Sequence, residues 1–150
     1  MFRHILVPVD HHPASARAAR HAHDLTRALG GRVTLLHVLE QDTAPGRAFA
    51  RRHLEALAAG ARRPPAQVVL AVRDHDVQGA VVTFAVRHGV DLIVLGVGGE
   101  GGLADEVLGR LAVDLARRSA LPVHLTGSRP REIVPPRWRQ VVGGGPPAEG

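Results

Sequence analysis

Short apolar, β-branched runs alternate along this chain with segments whose apolar residues recur at helical spacing. That alternation restricts the fold more than any other feature of the sequence. Arg3 to Val9 (RHILVPV), Arg32 to Glu40 (RVTLLHVLE), Gln67 to Arg73 (QVVLAVR), Val90 to Leu95 and Pro122 to Thr126 (PVHLT) read as strands. Ala14, Ala18, Ala22, Leu25 and Leu29 mark a first helix, opening at Pro13 and stopping at Gly30-Gly31. A second covers Pro45 to Ala59, with Phe49, Leu54 and Leu57 inward and Gly60 ending it. Val77, Val81, Phe84 and Ala85 form the inner face of a third, which follows the turn and cap Asp74-His75-Asp76 and stops at Gly89. Leu103, Val107, Leu108, Leu111 and Leu115 mark the fourth. Strand and helix in strict alternation predict an α/β fold, a parallel sheet covered on both faces.

With 150 residues, 45% of them hydrophobic and 22% charged, the chain can build one substantial core. Residues 127–150 differ in character, being rich in Pro and Gly, and read as a partly disordered tail beyond a domain of residues 1–126. No apolar run approaches the ~20 residues of a membrane span, and the start lacks a signal pattern, so a cytoplasmic protein without membrane contact is expected. Cysteine is absent, which excludes thiol nucleophiles, cysteine metal sites and a disulfide scaffold. Lysine is absent as well, which removes the phosphate-loop lysine and the Schiff base. The net charge of +5 invites a nucleic-acid reading, but the arginines are scattered and aromatics make up only 3%, which argues against it.

Open α/β sheets bind ligands outside the carboxyl ends of their strands. Here those ends are polar: Asp10-His11-His12 after the first strand, His37 on the second, Asp74-His75-Asp76 after the third, and glycines after the fourth. Gly96, Gly98, Gly99, Gly101 and Gly102 lie between an apolar strand and a helix, the arrangement of an anion cradle. The glycines let the backbone approach a ligand, and the free N–H groups of the helix start carry partial positive charge. The formal G-x-G-x-x-G match over Gly96 to Gly101 follows the fourth strand, with no acidic residue at the end of the fifth, so it does not indicate a dinucleotide site. A glycine turn with a purely structural purpose is the alternative. Asp10 is suited to accept hydrogen bonds from a ribose hydroxyl or an adenine amino group; it is also suited to satisfy loop amides or cap the helix at Pro13.

His11, His12, His37 and His75 can approach the same crevice with Asp10, Asp74 and Asp76, but without a recognised ligand spacing, so no metal site is assigned. His37 reads as packed and hydrogen-bonded in its strand, and His21 and His23 as helix surface. Ser15, Ser119 and Ser128 lie in no nucleophile elbow, and no catalytic residue is assigned. A metal-dependent enzyme built from the crevice histidines and aspartates stays as an alternative to a binding protein.

The segments ILVPVDHHPASARAARHA, LLHVLE and DLIVLG resemble the first, second and fourth strand regions of the universal stress protein family. Gly96-x-x-Gly99, nine residues, then Gly109 resembles that family's ATP-binding glycine pattern, with Arg110 where a serine or threonine follows. The resemblance spans residues 1–126. It implies a Rossmann-like sheet of five parallel strands in the order 3-2-1-4-5, with about four helices on its two faces. It further implies that Pro8, Asp10 and Val38 line an adenosine pocket. Gly96, Gly99 and Gly109 would surround the ribose and phosphates, with the backbone near Arg110 and Leu111. ATP, with or without Mg²⁺, is the expected ligand, in a dimeric stress-response module without enzymatic activity beyond slow hydrolysis. Dimerisation is expected through the strand Pro122 to Thr126. Arg110, Glu100 and the bulky His11-His12 pair depart from the family pattern, and a nucleotide-independent dimerisation or scaffold module is the alternative function.

Overall fold

A computed structural model describes residues 2–97 and 105–127 together with Arg137. Gly98, Gly99, Glu100, Gly101, Gly102 and Leu103, the side chains of Val107 and Leu108, and nearly all of the tail lie outside the described residues. Five strands alternate with four helices: β1 (His4–Val9), α1 (Ala14–Leu29), β2 (Arg32–Leu39), α2 (Ala44–Ala58), β3 (Ala66–Ala71), α3 (Val77–Arg87), β4 (Leu92–Gly96), α4 (Asp105–Ser119) and β5 (Val123–Thr126). The strands form one parallel sheet in the order β3-β2-β1-β4-β5, which the family resemblance implied.

Central strands are apolar on both faces because both faces are covered. Ile5, Val7 and Val9 of β1, with Val33, Leu35, Leu92 and Val94, pack on Ala18, Ala19 and Ala22 of α1 and on Leu54 of α2. The alternate residues Leu6, Leu36, Ile93 and Leu95 pack on Val81, Phe84 and Ala85 of α3 and Leu115 of α4. Each fully buried Leu, Ile or Val contributes about 1.5–3 kcal/mol, so these two layers outweigh exposed ion pairs such as Arg27–Asp24. In α2 the buried stripe is Ala50 and Leu54, and Leu57 packs at its margin. Phe49, expected inward, is 46% exposed, because α2 turns only that narrow stripe onto β2 and the edge strand β3.

Alanine on the inner face of α1 brings the helix close to the sheet. At its first turn the Ala14 backbone passes over the end of β4. A Cβ on Gly96 would stand 2.5 Å from the Ala14 carbonyl carbon and nearer still to its oxygen, so glycine is required there. The amino ends of the strands are tied together by polar groups. Asp91 accepts the N–H groups of Arg3 (2.8 Å) and His4 (2.9 Å). Buried His4 bonds through Nε2 to Thr34 Oγ1 (2.7 Å) and through Nδ1 to the His88 carbonyl (3.0 Å). Among the described residues no helix is long and apolar enough to cross a membrane.

Candidate functional site

The β1–β4 ladder consists of Ile5–Leu92 and Leu6–Ile93 and ends before the carboxyl ends of the two strands, where Pro8 has no N–H to donate. The chain leaves β1 toward β2 and leaves β4 toward β5, so the strand order reverses between them, the position where open α/β sheets carry their ligands. Asp10 stands on one lip of this crevice and Val97 on the other. Exposed Asp10 accepts the His12 N–H (2.9 Å) and the Ser15 hydroxyl (3.0 Å) on Oδ1, while its own N–H donates to Ser15 Oγ (3.0 Å). It thus satisfies a loop amide and does not itself cap the helix. His12 supplies the cap, its Nδ1 accepting the Ala14 N–H at 3.0 Å. Among the described residues Oδ2 of Asp10 has no hydrogen-bond partner. Arg17 of α1 reaches the opposite lip, where Nη2 donates to the Val97 carbonyl at 2.7 Å.

Pro8 and Val38 are half-buried, and Val38 packs with the layer that contains α3 and α4. Gly96 ends β4, and its missing side chain has a packing cause in Ala14. Gly109, Arg110 and Leu111 belong to α4: Leu111 packs on the core, whereas Arg110 is exposed and makes no hydrogen bond or ion pair with the described residues. Gly99 lies outside the described residues. Asp76 is occupied elsewhere, accepting the Gly79 N–H (2.9 Å) as the cap of α3 and pairing with Arg118 (3.0 Å), contacts that hold its carboxyl below the usual range. A cleft of about 840 Å³ between the ends of α1 and α2 lies at the amino ends of β2 and β3, lined by Arg20, His23, Arg27, Gly31 and Arg62, away from Asp10.

A second constellation stands beside Asp10. Val9 and His37 are partners in the β1–β2 register, and both face the layer with α1 and α2. Two residues past Val9, His11 lies over His37, with ring centroids 5.2 Å apart. His53 of α2 completes the group, 6.0 Å from His37 and 6.2 Å from His11, and Phe49 stands edge-on to His11 at 4.8 Å. His37 is 4% exposed, and neither of its ring nitrogens has a hydrogen-bond partner among the described residues. It is packed as expected but not hydrogen-bonded. Burial lowers its pKa below the usual imidazole value, helped by His11 and His53 and opposed by Asp10 and, least, by a contact with the Val38 backbone that falls short of hydrogen-bond geometry; burial and then His11 lower that of His53. Elsewhere His21, half-buried on α1, stacks on His124 of β5 at 4.7 Å.

His53 and Arg17 escaped the sequence reading. Helical spacing held a signal for the first, since His53 is four residues after Phe49 and shares its face. Nothing local marks Arg17, whose role depends on how closely α1 approaches β4.

The sequence profile of the universal stress protein family matches residues 1–127. The chain belongs to the universal stress protein family. Solved structures share the fold. A universal stress protein in complex with cAMP is 22% identical, with 84% of this chain and 97% of that one covered and a TM-score of 0.64. The Archaeoglobus fulgidus protein in complex with dAMP is 21% identical, with 83% and 97% covered and a TM-score of 0.66. A family protein from Burkholderia pseudomallei is 22% identical, with 83% and 96% covered and a TM-score of 0.65. Comparison with curated proteins gives no significant match.

Proposed function

We propose that residues 1–126 bind an adenine nucleotide, ATP with Mg²⁺ foremost, in the crevice between the carboxyl ends of β1 and β4. The carrying observation is Asp10 at the switch point with Oδ2 unengaged, positioned to accept from a ribose or adenine donor. Pro8 and Val38 flank the adenosine; Gly96, Gly99, Gly109, Arg110 and Leu111 face the ribose and phosphates. The residues described fit such a ligand: Asp10 is exposed at the switch point, and the exposed Arg110 guanidinium is a cation without a described partner, suited to a bidentate phosphate contact. The structures of relatives holding cAMP and dAMP support the same reading. In this reading the protein acts as a regulatory stress-response module in the cytoplasm, dimeric through the exposed edge strand β5.

Calorimetric titration with Mg·ATP tests the proposal. Saturable heat and a rise in melting temperature are expected, with affinity about tenfold weaker and a smaller rise in Asp10→Ala. Arg110→Ala should weaken ATP far more than adenosine. No heat and no stabilisation at millimolar nucleotide would leave the nucleotide-independent scaffold as the function.

A further inference from the structure

The geometry points to a metal site that the nucleotide reading does not use: we propose that His11, His37 and His53 bind a divalent transition-metal ion of the Zn²⁺ type. One ring nitrogen of each histidine lies within 4.8 Å of those of the other two. The three come from separate parts of the chain: the loop after β1, the end of β2 and the middle of α2. Tetrahedral coordination with metal–nitrogen bonds of about 2.0–2.1 Å places ligand nitrogens roughly 3.3 Å apart. The cluster must therefore contract by about 1.5 Å at most, within reach of side-chain rotation at exposed His11 and half-buried His53 around a fixed His37.

His37 is the second observation. An imidazole that is 4% exposed normally satisfies at least one nitrogen, yet both of its nitrogens lack a partner among the described residues, as does buried Nδ1 of His53. A bound cation satisfies His37 where the protein does not. The donor set decides the ion. Three imidazoles suit Zn²⁺, Ni²⁺, Cu²⁺ or Co²⁺, whereas Mg²⁺ and Ca²⁺ require oxygen ligands. Three protein ligands leave a fourth position for water or an incoming group. Phe49 walls the outer side against His11 and His53, and the Asp10 carboxylate, next to His11 on the loop after β1, offsets part of the positive charge. His37 and Val38 point to opposite faces of the sheet, so the metal and a nucleotide at Val38 occupy different sides of it.

The test uses the full chain purified without an affinity tag, stripped with chelator and titrated with ZnCl₂ in the absence of nucleotide. One ion per chain, micromolar affinity or tighter and a rise in melting temperature of several degrees are expected. Co²⁺ should give the visible absorption of a tetrahedral site. His53→Gln and His11→Gln, both outside the tight core, should weaken Zn²⁺ on the order of 100-fold and abolish the Co²⁺ band. His21→Gln, at the other histidine pair, should change neither. Equal affinity in the His53→Gln, His11→Gln and His21→Gln proteins, or the absence of stoichiometric binding to the parent, would overturn the site. Because no nucleotide is present, either result stands apart from success or failure of the ATP titration.

Discussion

Gly96 invites the sharpest test, because its lack of a side chain follows from packing before any ligand arrives. A methyl group there would sit 2.5 Å from the Ala14 carbonyl carbon, against an ordinary contact limit of 3.4 Å, and the obstacle is backbone. The first turn of α1 must therefore retreat by about 1 Å. It is held by buried Ala14 and by the Ser15–Asp10 hydrogen bonds, so it cannot do so freely. Overpacking of well-filled sites costs about 1–3 kcal/mol, and an unyielding backbone neighbour puts Gly96→Ala near ~3 kcal/mol. For a domain of this length each kcal/mol moves Tm by about 3–5 °C, giving a fall of roughly 10 °C. Thermal unfolding followed by circular dichroism without nucleotide measures it. Gly127→Ala is the control, since a Cβ there meets nothing within 4 Å, and its Tm should stay within about 2 °C of the parent. A Gly96→Ala protein that melts with the parent but loses ATP would refute the packing argument and leave the glycine as a ligand contact alone.

Asp91→Ala removes the acceptor of two N–H groups and should lower stability by about 1–2 kcal/mol in urea titrations, with the m-value unchanged. The pH dependence has a definite sign. Burial, foremost, depresses the His4 pKa in the folded protein, so as pH drops below the ordinary 6.5 the unfolded chain takes up a proton that the folded chain refuses. Tm should therefore be level above about pH 7 and fall below it, with His23 and His124 adding in the same direction. A further decline is expected below about pH 4, as Asp91 loses stability that is present only above the ordinary carboxylate range. A Tm that stays level from pH 7 to about 5 would contradict the histidine argument. Leu125→Asp places a charge on an exposed edge-strand leucine, and if the proposed β5 dimer forms, sedimentation equilibrium should show it converted to monomer.

The fold was legible in the chain because local patterns carry it. Runs such as HILVPV and LIVLG are too short and too evenly apolar for surface helices, and the alanine spacing of α1 has no other reading. Asp10 and the glycine-rich run were visible for the same reason: each lies directly after such a run. The histidine trio was only half visible. His11 and His37 stood out as polar residues at strand ends, but their meeting depends on Val9 pairing with His37, a register that no local pattern announces. His53 depends on the rotation of α2, and the error at Phe49 has the same origin. Helical period fixes which residues share a stripe, whereas the position of the helix over an edge strand decides how wide a stripe is covered.

The tie between Asp91, His4, Thr34 and His88 makes the sheet mechanically lopsided. Its amino end joins β1, β2, the end of α3 and the start of β4 through charge-assisted and buried hydrogen bonds, while the β1–β4 ladder stops short of the other end. Fluctuations that admit solvent should begin at that other end and fade toward the tied one, giving a gradient of amide exchange along each strand. A ligand that settles between the two lips then adds a further clasp to the Arg17–Val97 hydrogen bond. Its mark would be slowed exchange at Val9 and Gly96, with almost no change at Ile5 and Leu92.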